Sequence, residues 1–284
     1  MTRQSATARR AEELLGAAVV ATAPVAGGDI CTATRIKLAD GRTVLMKTLA
    51  HPPAGFFEAE ARGLRWLGEA AGAAVPPVLA VDADCVVLPW IETGKPTPDA
   101  AAEFGRRLAA THAAGATAYG LAQDGFIGRL PLPNASAPTW AEFFATRRVL
   151  PYLKLARDRG FVDEQQAAAV EGVVGRIGDL VPEEPPSRLH GDLWNGNVLW
   201  GTDGVVTMVD PAAYAGHRET DLAMLALFGL PHLQRALDAY AEAAPLAEGW
   251  EDRVALHQLF PLLVHACMFG GGYAARAAAL ASRY

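Results

Sequence analysis

Cysteine is scarce. Cys31, Cys85 and Cys267 are the whole set, they lie far apart, and no C-x-x-C pair occurs. This spacing excludes a zinc ribbon or a redox dithiol. An odd, sparse set suits a reducing cytoplasm better than a secreted disulfide scaffold. No uninterrupted apolar run reaches the roughly 18 residues that a membrane span needs, so no membrane partner is expected. Arg9-Arg10 before the apolar segment 14–26 faintly resembles a secretory leader. Glu12, Glu13 and Pro24 interrupt it, and the chain is read as cytoplasmic. Basic clusters are missing too, and the net charge is -6, which argues against a nucleic-acid partner. There is no internal repeat. A G-x-G-x-x-G fingerprint is also absent.

What remains is a chain of 284 residues, 51% hydrophobic and 20% charged. It can bury a large core and is long enough for one two-lobed unit. Its chemistry concentrates in the run His190-Gly191-Asp192-Leu193-Trp194-Asn195-Gly196-Asn197. Apolar residues 198–200 follow, then an Asp203-Gly204 hairpin turn, then residues 205–209 and Asp210. The hairpin returns the chain so that Asp210 can lie near Asn197. Asp192 and Asn197 bracket four residues, the spacing at which protein kinases place a catalytic Asp and a Mg²⁺-binding Asn. Gly191 stands where that pattern has Arg. Asp192 is the candidate base for an attacking hydroxyl. Asn197 and Asp210 offer the hard oxygen ligands that Mg²⁺ takes, and Gly196 would let the loop turn sharply.

The first third of the chain reads as helix 7–15, a strand around Val19, Val20 and Val25, a Gly27-Gly28 turn and a strand over 33–38. An Asp40-Gly41 hairpin leads to a strand over 43–48 carrying Lys47. A glycine turn lets backbone N–H groups approach phosphate oxygens, so Gly27, Gly28 and Lys47 are candidate nucleotide contacts. Helix 57–71 follows, with Glu60 as the partner for Lys47 and Glu58 as its competitor. Strands over 78–81 and 85–88 lead into Leu88-Pro89-Trp90-Ile91, a hinge whose Leu88, Trp90 and Ile91 are candidate adenine contacts. The boundary is placed after Glu92, giving a nucleotide-binding lobe 1–92 and a catalytic and substrate-binding lobe 93–284. The second lobe reads as mainly helical: helix 99–114 capped by Asp99, a long loop 115–138, then helices 139–159, 163–180 and 222–228. The expected architecture is α+β, a five-stranded antiparallel sheet with one long helix, followed by a helical lobe. Asn134 and His217 are candidate substrate contacts. Asp221 either caps its helix or holds the catalytic loop through backbone N–H groups.

These motifs resemble the aminoglycoside phosphotransferase and choline kinase branch of the protein-kinase-like fold. More narrowly, they are similar to the fructosamine kinase, or ketosamine-3-kinase, family. The segments 27–30, 57–60, 125–128, 190–197, 216–224 and 269–273 carry the likeness, with Trp194, Phe126-Ile127-Gly128 and Phe269-Gly270-Gly271-Gly272-Tyr273 pointing to the narrower family. The resemblance implies ATP and Mg²⁺, with transfer to the 3-hydroxyl of a free or protein-bound ketosamine, whose unstable 3-phosphate then sheds the amine. It makes Asp192 the base, Asn197 and Asp210 the metal ligands, Lys47 the phosphate contact and Trp194 the residue facing the sugar. Pro89 and Cys31 depart from the pattern, and Pro89 leaves adenine to a neighbour such as Ile91 because Pro has no N–H. The rival readings are a kinase of another small amino alcohol (aminoglycoside, choline or homoserine) and a nucleotide-binding homologue without catalysis.

Overall fold

The computed structural model describes residues 5–26 and 30–284. Gly27 and Gly28, expected as the phosphate turn, lie outside the described residues. Strands β1 (Val19–Val25), β2 (Thr32–Leu38), β3 (Thr43–Thr48), β4 (Ala80–Asp82) and β5 (Cys85–Pro89) form one sheet in the order β1-β2-β3-β5-β4. All its pairs are antiparallel. Pro24 sits in β1, at the sheet edge, where a missing N–H does least harm. Helix α1 (Ala6–Leu15) starts where the Ser5 hydroxyl accepts the Ala8 N–H. It covers one face of the sheet, and helix α2 (Phe56–Gly68) covers the other.

This double cover explains the unbroken apolar run in β5. Cys85 and Val87 pack in the α1 layer, while Val86 and Leu88 pack with Phe57 and Leu64 of α2. Alternate residues of a strand point to opposite faces, so a strand buried on both faces shows no polar alternation.

The second lobe opens with α3 (Pro98–Ala113). Its cap is Thr97, whose hydroxyl accepts the Ala100 N–H at 3.2 Å. Asp99 lies inside the first turn, correcting the expected cap. The expected loop 115–138 contains a small hairpin, β6 (Gly125–Ile127) with β7 (Leu130–Leu132). Segment 139–159 is helical as expected, but α4 (Trp140–Phe143) and α5 (Leu150–Asp158) are joined by a π-helical turn at Phe144–Val149. Pro151 cannot donate to the Arg147 carbonyl, and its ring would strike that carbonyl in a straight helix. The carbonyl instead accepts from Arg148 Nη1 at 3.1 Å. The expected helix 163–180 is two, α6 (Glu164–Val174) and α7 (Ile177–Leu180), broken at Gly175.

Four short strands then frame the central loop: β8 (Ser187–Leu189), β9 (Val198–Trp200), β10 (Val206–Met208) and β11 (Tyr214–Gly216). β9 pairs with β10, and β8 with β11. Helices α8 (Glu219–Phe228), α9 (Leu233–Ala243), α10 (Trp250–His257), α11 (Leu259–Phe269) and α12 (Tyr273–Ala281) complete the lobe. Among the described residues, no helix is long and apolar enough to cross a membrane.

Arg148 anchors the core of this lobe with no exposed surface. Its guanidinium lies 3.8 Å from the Tyr214 ring centroid and 4.6 Å from that of Phe143. It donates to the Pro133 carbonyl and to Asn134 Oδ1. Arg148→Met keeps the volume but leaves those acceptors without their donor, at about 1–3 kcal/mol per orphaned group. The expected loss is about 2–4 kcal/mol, read from the urea midpoint; an unchanged midpoint would refute the anchoring role.

Candidate active site

Strand β3 delivers Lys47 to the cleft between the lobes. Its ammonium donates to Glu60 Oε1 and Oε2 at 2.8 and 2.9 Å, and to Asp210 Oδ1 at 2.7 Å. Glu60 lies on the second turn of α2, which faces β3, so the expected pairing is seen and Glu58 makes no such bond. Burial alone would lower the pKa of Lys47. The charges of Glu60 and Asp210 outweigh it and hold the ammonium above its ordinary value. Glu60 is pushed up by burial, against the pull of Lys47. Asp210 follows β10 with a positive φ of 56° and is exposed to the cleft.

The central loop is held from behind. Asp221 Oδ2 accepts the His190 N–H at 2.7 Å, and its Oδ1 accepts the Gly191 N–H at 2.9 Å. His112 Nε2 lies 3.2 Å from Oδ2, and His112 Nδ1 lies 2.8 Å from the Tyr240 hydroxyl. Burial would raise the Asp221 pKa, but these donors bring it below the ordinary value. Its carboxylate therefore holds the loop and does not cap α8. Gly191 has φ 81°, and a Cβ there would sit 2.1 Å from the Ala212 carbonyl oxygen. That close approach is why glycine replaces arginine in this version of the motif.

His190 has a fixed tautomer. Its Nδ1 receives the Asp192 N–H at 3.3 Å, and its Nε2 faces the Val209 carbonyl at 2.8 Å. The first partner can only donate and the second can only accept, so Nε2 carries the proton. Burial depresses its pKa, so the ring is neutral. It ties the loop to the strand end that carries Asp210.

Asn197 Nδ2 donates to the Asp192 carbonyl at 2.8 Å and to Asp192 Oδ2 at 3.1 Å. The carbonyl accepts only, which fixes the amide orientation and turns Asn197 Oδ1 away. Val209 N–H donates to the Asn197 carbonyl at 2.9 Å, bringing Asn197 beside Asp210 as the hairpin predicted. Burial pushes Asp192 up to about 7, against the Asn197 hydrogen bond and with help from Asp210 and Asp221. A carboxyl poised there is suited to take a proton from a hydroxyl.

A cleft of about 800 Å³ collects these groups. Lys47, Glu60, Leu88, Trp90, Ile91, Asp192, Trp194, Asn197 and Asp210 all line it. At the hinge, the Trp90 N–H is committed to the Thr43 carbonyl and Pro89 has none. The Ile91 N–H makes no hydrogen bond among the described residues. Cys31 lines the same cleft; burial pushes its thiol up, which keeps it protonated and unreactive. An aromatic wall, of which the sequence pattern assigned only Trp194 to the substrate, lines the same cleft. Phe228, His265, Phe269 and Tyr273 join Trp194 there. Trp194 meets Phe228 edge-on at 5.9 Å, and His265 lies 4.8 Å from Phe228 and 5.2 Å from Tyr273. His265 lies on α11, whose sequence is otherwise almost wholly apolar. A Cβ on Gly196 would sit 2.3 Å from the Trp194 ring, so glycine there makes room for the indole.

Two expected substrate contacts are not at the cleft. His217 has no exposed surface and lies among Glu184, Glu219 and His257. Burial, then His257, lower its pKa to about 3. His217, Glu219 and His257 have the spacing of a metal set, but the fork of Arg253 already holds both Glu219 oxygens, at 2.9 and 2.6 Å. Asn134 is buried and spends its oxygen on Arg148. Both side chains build the core, because each is turned toward buried polar partners.

A sequence model of the fructosamine kinase family matches residues 3–284. The chain is 38% identical over 255 residues to a probable ketoamine kinase of Thermus thermophilus, covering 88% of each. It is 31% identical over 270 residues to the chloroplastic protein-ribulosamine 3-kinase of Arabidopsis thaliana, 92% of this chain and 81% of that one. The crystal structure of a candidate fructosamine-3-kinase from Thermobifida fusca superposes with a TM-score of 0.93 at 48% identity, over 98% of this chain and 99% of that one. A choline kinase from Streptococcus pneumoniae, 15% identical, superposes with a TM-score of 0.66 over 99% and 100% of the two chains. That likeness shows a shared protein-kinase-like fold.

The Asp221 geometry has a direct consequence. Asp221→Asn places an amide N–H against one of two loop N–H groups and loosens Asp192. Small misplacements of reacting groups cost about 10²-fold, so kcat is expected to fall by about that factor, with nucleotide Kd changed by less than about threefold. Near-normal kcat would remove Asp221 from the loop's support.

Proposed function

The chain belongs to the fructosamine kinase family and is an ATP-dependent kinase, and we propose that it phosphorylates the 3-hydroxyl of a ketosamine, a sugar joined to an amine. One observation carries this reading: a single cleft is lined by Asp192, by the charged groups Lys47 and Asp210, and by the aromatic rings of Trp194 and Phe228. Flat aromatic faces suit the C–H face of a sugar and the cation of its amine. The cleft's carboxylates favour the same cation. The printed name of the Arabidopsis relative, a protein-ribulosamine 3-kinase, supports the same acceptor class.

Lys47 meets the triphosphate as a point charge, and the free Ile91 N–H offers adenine a donor at the hinge. Residues 1–92 would then hold the nucleotide, and residues 93–284 would hold the base and the acceptor. Asn197 and Asp210 fit a Mg²⁺ ion: the Asn197 amide is oriented so that Oδ1 is available, and among the described residues only Lys47 bonds the exposed Asp210. Such an ion would neutralise the β- and γ-oxygens. Asp192 orients the acceptor hydroxyl and takes its proton as the hydroxyl oxygen bonds the γ-phosphorus of ATP and the bond from that phosphorus to the departing ADP oxygen breaks. The remaining contribution is positioning and charge. All three cysteines are free, which supports a cytoplasmic setting.

Two measurements test this reading. Asp192→Asn is expected to keep nucleotide binding and to lower turnover by about 10²–10⁴-fold, the usual worth of a general base. For the wild type, ribulose-lysine and fructose-lysine are expected to be phosphorylated in preference to choline, homoserine and kanamycin. The pH profile follows from the sign of the Asp192 shift. The carboxyl is protonated and inactive below its raised pKa and ionised above it. The acid limb of kcat/KM should therefore lie near 7, well above the ordinary Asp value of about 4. A plateau extending down to pH 5, or preference for choline or kanamycin, would count against the base and the acceptor class respectively.

A further inference from the structure

We propose that the tip of the β6–β7 hairpin, Gly128 with Arg129, is a positioning element that couples the two ends of the cleft, so that nucleotide and acceptor each tighten the other's binding. The hairpin belongs by sequence to the helical lobe, yet it bonds to the sheet lobe. Phe126 packs on Phe56 at the start of α2, with ring centroids 5.3 Å apart. Arg62 Nη2, on α2, donates to the Asp124 carbonyl at 3.2 Å. Arg129 Nη2 donates to the Ile30 carbonyl at 3.3 Å, beside the segment where the nucleotide is expected.

The tip itself is a wedge. Gly128 has φ 56°, and a Cβ there would sit 2.6 Å from Met268 Sδ and 3.1 Å from Ile30 Cδ1. Met268 lies on α11 between His265 and Phe269 of the aromatic wall, and Ile30 and Met268 both line the cleft. The backbone of Gly128 is therefore packed between the acceptor wall and the nucleotide end. An acceptor that presses on the wall is felt at Ile30 through this contact. A nucleotide that orders the Ile30 end is felt at the wall by the same route, because coupling between two binding sites is reciprocal. The α2 contacts add a second consequence: the helix that carries Glu60 is seated against an element of the other lobe.

The inference rests on the ketosamine reading only for the choice of acceptor. The test is calorimetric titration of AMP-PNP with Mg²⁺, with and without saturating ribulose-lysine, on the full-length protein. In the wild type the nucleotide Kd is expected to fall roughly fivefold or more when the acceptor is bound, the low end of ordinary coupling. In Arg129→Ala the ratio is expected to collapse toward about 1, while each Kd measured alone changes by less than about threefold. Gly128→Ala, which forces Met268 and Ile30 apart, should lose the coupling as well. A purely structural role would lower Tm in these variants and leave the ratio intact, and that result overturns the proposal. So does a wild type with no coupling. Should the wild type bind no ribulose-lysine, the ketosamine reading fails separately, and the same ratio measured with choline decides the hairpin's role.

Discussion

One ammonium group closes this molecule. Lys47 reaches from the third strand to a helix 13 residues away in sequence and to a carboxylate 163 residues away. Burying an isolated ammonium costs several kcal/mol, and two carboxylates offset that cost where one would leave the ion poorly solvated. The consequence is geometric as much as energetic. Strand β3, helix α2 and the turn after β10 can hold the ion only if they converge, so the lobes must face one another with a cleft between them. Two negative charges against one positive also leave that end of the cleft acidic, which is the condition under which a hard divalent cation is bound.

Two aspartates beside the same loop show how environment assigns roles. Asp221 accepts two backbone N–H bonds and faces His112, so its ionised form is favoured. Asp192 is pushed up to about 7 by burial, with help from two other carboxylates and against one side-chain amide hydrogen bond. Pairs of carboxyls pushed apart in this way take different roles, which supports the proposal that Asp221 holds the loop and Asp192 acts as the base. The neutral His190 ring joins them, because its two nitrogens bind opposite partners, the Asp192 N–H and the Val209 carbonyl.

Much of this was legible in the sequence wherever the signal is local. The hairpins at Asp40-Gly41 and Asp203-Gly204 lie between strands where turn chemistry placed them, and the spacing of Asp192 and Asn197 put both into the cleft. The cap of α3 was misread because two capping residues, Thr97 and Asp99, flank Pro98. Proline prefers the first helical position, which makes the residue before it the cap. The β6–β7 strands have three residues each, one of them Pro131, too few to show a period. His217 and Asn134 failed for a different reason: a polar loop residue shows nothing of the buried partners it is turned toward, and α11 shows a related limit. Helix α11 is apolar along nearly its whole length, so nothing local tells which side of it meets a cleft. Whether a lone histidine there is core or wall is decided by packing against α8 and α12.

The cleft divides its labour along the chain. The charged groups come from β3, α2 and the loop around Asp192, whereas most of the aromatic wall comes from α8, α11 and the start of α12. A fold shared with a choline kinase at 15% identity says little about the acceptor. On the proposed reading, acceptor choice resides in the last quarter of the chain, on helices that supply none of Lys47, Asp192 and Asp210. Such a separation lets the wall be remodelled without disturbing Lys47, Asp192 or Asp210. It also demands a link between parts that are distant in sequence, and the proposed one is the hairpin at 125–132, whose tip lies against Ile30 and Met268.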